Sequence, residues 1–96
     1  MAAYVIARVE VRNEAWREAY MPTTRALIEK HGGKFLVAGG AMERLEGDGK
    51  LPSSIVVLEF PSMAQAKAWY NDPAYAPMIK LRQTGSEAEI VVVEGM

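Results

Sequence analysis

Residues 55–73 read IVVLEFPSMAQAKAWYNDP. Ile55 to Phe60 is a run of branched and aromatic side chains closed by Pro61, the composition of a β-strand. Ser62-Met63-Ala64-Gln65 then fits a helix start, with a serine cap and a glutamine three positions on. Met63, Ala66, Trp69 and Tyr70 recur at three- and four-residue steps and mark one apolar helix face. Asn71-Asp72-Pro73 stops this helix and starts another, with Asp72 as cap and Pro73 at the first helical position. Tyr75, Met78, Ile79 and Arg82 continue at helical spacing. Pro77 is expected to bend that segment and Gly85 to end it. Glu89 to Glu94, EIVVVE, reads as a closing strand.

The first half of the chain runs through the same order. Tyr4 to Val11, YVIARVEV, is rich in β-branched residues and carries no turn former. Asn13 suits an N-cap, and Trp16, Ala19, Tyr20, Thr23, Leu27 and His31 fall on one helix face. Pro22 interrupts this run, so a kink or a second helical segment is expected there. Gly32-Gly33 ends the helix, with Gly32 in the left-handed conformation. Lys34 to Ala38 is the next strand; Gly39-Gly40 suggests a bulge, and Glu43 to Glu46 a continuation beyond it. Gly47-Asp48-Gly49-Lys50 is a turn, and Pro52 sets the start of the strand that follows. Strand, helix, strand thus occurs twice with a hairpin between. This pattern describes an α+β domain of the ferredoxin-like, split βαβ type: an antiparallel sheet with its helices on one face, using residues 1–96 as a single domain.

Composition narrows the function classes. The 11 Lys and Arg nearly balance the 12 Asp and Glu, and they are scattered, so the basic footprint of a nucleic-acid binder is missing. With no cysteine, disulfides and thiolate zinc sites are excluded. Met1-Ala2-Ala3 leads straight into a strand, without the charged and apolar regions of a signal peptide. No apolar run is long enough to span a bilayer. The expectation is a cytoplasmic protein with neither a nucleic-acid nor a membrane partner.

In this topology the spatial strand order is fourth, first, third, second. Val5, Ala7, Val9 and Val11, with Val56, Leu58, Phe60, Val91 and Val93, are expected under the helices. The other face would carry Tyr4, Ile6, Arg8 and Glu10, then Ile55, Val57 and Glu59, then Ile90, Val92 and Glu94. A solvated sheet face alternates to polar residues, and this one holds six large apolar side chains. Such a patch exceeds what a soluble monomer usually leaves in water. A homodimer is therefore expected, with Tyr4, Ile6, Arg8, Ile55, Val57, Glu59, Ile90 and Val92 in its interface. Arg8 would pair there with Glu59 or Glu94.

Few residues carry chemistry. His31, the single histidine, is a candidate general base, since imidazole is the side chain suited to proton transfer near neutral pH. The competing reading is a helix C-terminal histidine that serves the dipole and the last carbonyls. A lone histidine with no carboxylate at ligand spacing makes a metal site improbable, and no metal is expected. Trp16, Tyr20, Trp69, Tyr70 and Tyr75 all fall in helical segments. They would either cap a small core or stack on a flat ligand, with a tyrosine hydroxyl to orient it. Tyr20 and Tyr70 join His31 as proton-transfer candidates. Trp16, Trp69, Tyr75, Arg25 and Arg82 are candidate ligand contacts, the arginines for a carboxylate or phenolate. Phosphate-loop glycines, a serine elbow and a cysteine nucleophile are absent.

HGGKFLVAGG (His31 to Gly40), VVLEFPSMAQAKAWYNDPAY (Val56 to Tyr75), LRQ (Leu81 to Gln83) and VVVEG (Val91 to Gly95) together resemble the small bacterial proteins called domain of unknown function 1330. The resemblance extends over nearly the whole chain. It implies a dimeric α+β barrel, in which two ferredoxin-like sheets pack face to face. The wider superfamily includes cofactor-free monooxygenases acting on polycyclic phenols, muconolactone isomerase-like proteins and haem-degrading enzymes. Its small-molecule pocket usually lies between sheet and helices. The resemblance implies a scaffold, and a scaffold does not fix a reaction. Three functions compete: a cofactor-free enzyme acting on a small aromatic or carbonyl metabolite, a non-catalytic small-molecule binding protein, and a structural dimer without a ligand.

Overall fold

The computed structural model describes residues 1–96. The chain runs β1 (Ala3–Val11), α1 (Arg17–Lys30), β2 (Lys34–Ala38), β3 (Ser54–Phe60), α2 (Met63–Tyr70), α3 (Ala76–Gln83) and β4 (Ser86–Glu94). The sheet order is β2-β3-β1-β4 with every neighbour antiparallel, the order expected of a ferredoxin-like sheet.

Register decides which side chains meet the helices. Val5 lies between Leu58 and Val92, and Ala7 between Val56 and Ile90. Ile6 lies between Val57 and Val91 on the opposite face, and Tyr4 between Glu59 and Val93. The expected faces of β1 and β3 hold, whereas those of β4 are reversed. Ile90 and Val92 pack against the core, while Val91 and Val93 are 51% and 49% exposed on the open face. Ile90 and Val92 are therefore not residues of the open face. EIVVVE is apolar at consecutive positions, so its composition is silent on parity, and one residue of slip exchanges the faces. The strand starts at Ser86, earlier than its apolar run, and the start is pinned. Gly85 O accepts from Arg12 N at 2.7 Å and Asn13 N at 3.1 Å, and Ser86 sits opposite Val11. Counting in twos from Ser86 brings Ile90 and Val92 beneath the helices.

Within the chain Arg8 pairs with neither Glu59 nor Glu94. Its Nη2 donates to Lys50 O at 3.3 Å, and Glu59 instead meets Lys34 Nζ at 3.2 Å.

The helix ends follow local chemistry. Asn13 builds a turn ahead of α1 instead of capping it. Its Oδ1 accepts from Ala15 N at 3.2 Å, and its carbonyl accepts from Trp16 Nε1 at 2.7 Å. From Arg17 the helix passes through Pro22 without a break. The carbonyl that loses its donor belongs to Glu18, which is exposed to water, and water can serve it. At the other end Gly33 N donates to Ile28 O at 2.8 Å and Gly32 N to Glu29 O at 3.0 Å, a Schellman closure. It needs φ +82° at Gly32, where a side chain would be strained.

The 39–53 segment holds no further strand. β3 begins only at Ser54, and its last bond toward β2 is Gly39 N to Ile55 O at 3.0 Å, so Glu43 to Glu46 have nothing to pair with. Ser62 Oγ caps α2 by accepting from Gln65 N at 3.2 Å. α3 starts later than Pro73, after a turn in which Tyr75 N donates to Asp72 O at 2.8 Å. Pro77 consequently falls in the first turn of α3, where a missing N–H costs nothing, and it does not bend the helix.

α2 packs on β1, β3 and β4. α1 packs on α2 and α3, and its backbone lies farther from the strands than that of α2. That separation leaves room between α1 and the sheet. No helix is long and apolar enough to cross a membrane.

Candidate functional site

A cavity of about 220 Å³ fills the space between α1 and the sheet. Val5, Ala7, Val9, Val56 and Leu58 make its floor, small and branched side chains set by the two-residue period of β1 and β3. Trp16, just ahead of α1, and Tyr20 and Thr24 on it follow at four-residue steps, and α2 and α3 contribute Trp69 and Arg82. Gly85 makes room for the first of these. A Cβ there would sit 2.5 Å from the Trp16 ring.

The polar groups of this cavity are unusual. The buried side-chain nitrogen and oxygen atoms without a hydrogen-bond partner are Thr24 Oγ1, Trp69 Nε1 and Arg82 Nε. All three residues line the same cavity, one from each helix. Most buried polar atoms in folded proteins are satisfied, so their convergence on one apolar space calls for a reason. Arg82 is 5% exposed and takes part in no salt bridge. A buried guanidinium without a carboxylate is costly to the fold.

Beside these donors, the Tyr20 and Tyr75 hydroxyls lie 2.6 Å apart. Burial, reinforced by Tyr20, pushes the Tyr75 phenol far above its usual range, so it stays protonated at neutral pH. The pair holds two protons and uses one in its own bond, which leaves the other to donate. Trp69 is fixed between aromatic neighbours, its ring 4.7 Å from Tyr75 and 5.5 Å from Phe60.

Trp16, Tyr20, Trp69 and Arg82 thus converge on the cavity, and Tyr75 stands behind Tyr20. Tyr70 is 40% exposed and outside the cavity lining. Arg25 lies 5.0 Å over the Phe35 ring and does not line the cavity either. His31 is also elsewhere. Its Nε2 is 2.8 Å from Asp72 Oδ2, which Lys30 Nζ approaches at 3.0 Å, and its carbonyl accepts from Gln65 Nε2 at 3.2 Å. This cluster ties the end of α1 to α2 and to the turn before α3. Hydrogen bonds from His31, Ala74 N and Lys30 hold the Asp72 carboxyl well below the usual carboxylate range. No three His, Cys, Asp or Glu side chains come together as metal ligands. Thr24 and Ile90, which also lines the cavity, are the residues sequence reasoning missed. Thr24 has a sequence signal in the four-residue step from Tyr20, whereas nothing in EIVVVE marks Ile90.

The profile of the family described as "Domain of unknown function (DUF1330)" matches residues 2–96. The chain belongs to this family. No curated protein matches the DUF1330 chain significantly. Among solved structures it is similar to the RPA0582 protein of unknown function from Rhodopseudomonas palustris, with TM-score 0.81 at 20% identity over 99% of this chain and 82% of that one. It is also similar to SnoaB, a cofactor-independent oxygenase from Streptomyces nogalater, with TM-score 0.67 at 15% identity over 99% and 93% of the two chains. A dimeric ferredoxin-like protein of unknown function from Jannaschia sp. CCS1 matches with TM-score 0.64 at 12% identity, over 99% and 100%. At these identities the likeness of the DUF1330 chain to the solved structures is one of fold.

Proposed function

We propose that this DUF1330 protein is a homodimer that binds a small planar metabolite with an anionic or carbonyl oxygen in the helix–sheet cavity, and that it acts there without a cofactor. The observation that carries the reading is the convergence of Thr24 Oγ1, Trp69 Nε1 and Arg82 Nε, unpartnered, on one apolar space. Two of these atoms only donate hydrogen bonds, and the Tyr20–Tyr75 pair has a proton to spare. A donor set in an apolar chamber selects a ligand rich in acceptors. A ring fits among Trp16, Trp69 and the aliphatic floor, with its oxygen toward Arg82. A phenol or enol that gives its proton up to bulk water on entering would be held as the anion beside that guanidinium. The resulting anion is the electron-rich form on which cofactor-free oxygenation or isomerisation depends. SnoaB, described as a cofactor-independent oxygenase, has the same fold, which supports the enzyme reading at the level of scaffold.

A second reading, a non-catalytic binding protein using the same cavity, is favoured by the position of His31. It is held by Asp72 outside the cavity, so the one imidazole is not placed to take a proton from a ligand there.

Titration with salicylate, followed by tryptophan fluorescence, tests the shared part of both readings. Saturable quenching is expected, with the response diminished in Trp69→Phe. Arg82→Met should weaken affinity about tenfold or more, the worth of a charge-assisted hydrogen bond. Binding that ignores Arg82→Met would overturn the placement. Oxygen uptake with a panel of phenols separates the enzyme from the binding protein.

A further inference from the structure

Ile90 borders three cavities at once. Besides the internal cavity it lines an apolar cleft of about 230 Å³ between α2 and β4, and a polar groove of about 530 Å³ beside α3. The wall between the internal cavity and the α2–β4 cleft is shared by Val5, Trp69 and Ile90. Two of these are fixed. Val5 is buried on the central strand β1, and Trp69 is held between the rings of Phe60 and Tyr75. Ile90 is half-buried on β4, an edge strand with no neighbour beyond it. It is the part of the wall with freedom to yield.

We infer that Ile90 sets the length of ligand that the cavity accepts, and that the α2–β4 cleft is a second compartment for the apolar end of a longer ligand. The inference rests on the proposed use of the cavity as a binding site. An apolar cavity of about 150 Å³ holds a benzene ring, so the internal space takes one substituted ring or a compact pair. Three fused rings need the cleft as well. Its lining of Ala66, Trp69 and Val92 suits an arene, and Arg82 remains available to the acidic end.

Benzoate, 2-naphthoate and anthracene-2-carboxylate carry the same acid on one, two and three rings. Their dissociation constants on wild type, Ile90→Ala and Ile90→Phe test the idea. Wild type should bind the three-ring acid more weakly than the one-ring acid. Ile90→Ala should tighten the three-ring acid relative to benzoate about tenfold or more, the scale on which pockets sort ligands by size. Ile90→Phe should weaken 2-naphthoate more than benzoate. Ile90→Val, which removes one methyl group, should move the same ratio in the direction of Ile90→Ala and is read if the alanine variant folds poorly. A three-to-one-ring affinity ratio identical across these variants, with benzoate still bound, overturns the role of Ile90 alone. Absence of binding of all three acids to every variant overturns the cavity reading, and this inference with it.

Discussion

Arg82 is buried where the apolar cavity meets the polar groove beside α3, and it takes part in no salt bridge. A group retained for packing alone would be better replaced by an apolar chain of similar length, since an uncompensated buried charge opposes folding. Arg82→Met is therefore expected to stabilise the ligand-free protein by about 1 kcal/mol or more, while it weakens the binding of acids. Thermal melts of the two proteins check this. A large fall in melting temperature would mean that the guanidinium is structural. Arg82, Trp69 and Tyr20 were legible in the sequence because helical spacing puts them on inward faces. Thr24 was harder to find. A helix face can be traced from Tyr20 in steps of three or four, and the step of three selects Thr23, which is exposed, while Thr24 is buried. Unsatisfied atoms are a property of three-dimensional neighbours, so no spacing rule could have singled out this trio.

At the scale of elements, the Asp72 carboxylate ties the end of α1 to the turn before α3 through short bonds to Lys30, His31 and Ala74 N. Because its folded titration point lies below the usual carboxylate value, it favours the folded state throughout the range above about pH 4, where the unfolded carboxyl is ionised. That contribution is lost as pH falls through the folded value. Asp72→Asn should lower the melting temperature at pH 7, and the gap from wild type should close in strong acid. A gap independent of pH would assign the effect to geometry instead of charge. His31 belongs to this cluster, which fits its reading as a residue of the helix end. The helices themselves were legible from Ser62, Gly32 and the apolar stripes. Their boundaries shifted where a turn came first, at Asn13 and at Asp72. The parity of β4 was illegible for a plain reason: three consecutive valines suit either face, and only the pinned start at Gly85 chooses.

For the whole molecule, the open face of the sheet is the main feature left uncovered by the helices. Its centre is Ile6, flanked by Val57 and Val91, and Val93 extends the apolar surface toward Tyr4. With β4 in its observed register the face stays apolar, since Val91 and Val93 stand where Ile90 and Val92 were expected. Ile6→Asp places a charge at the centre of the proposed interface on both subunits. Sedimentation should then show monomer or aggregate, and an unaltered dimer would refute the face assignment. The strand order was legible because two strand–helix–strand units joined by a hairpin admit few arrangements.

The same order decides how the chain can be cut. β1 and β2, from the first half, are separated in space by β3, and β3 and β4, from the second half, are separated by β1. Neither half contains two adjacent strands, so neither can close a ladder by itself. The exposed segment between the halves contains Arg44 and Lys50, both open to trypsin. Scission there would leave two pieces interleaved like the fingers of clasped hands, and the nicked protein should migrate as one species until denatured. Expressed as separate polypeptides, 1–44 and 45–96 should each be unstructured alone and regain the native circular dichroism on mixing.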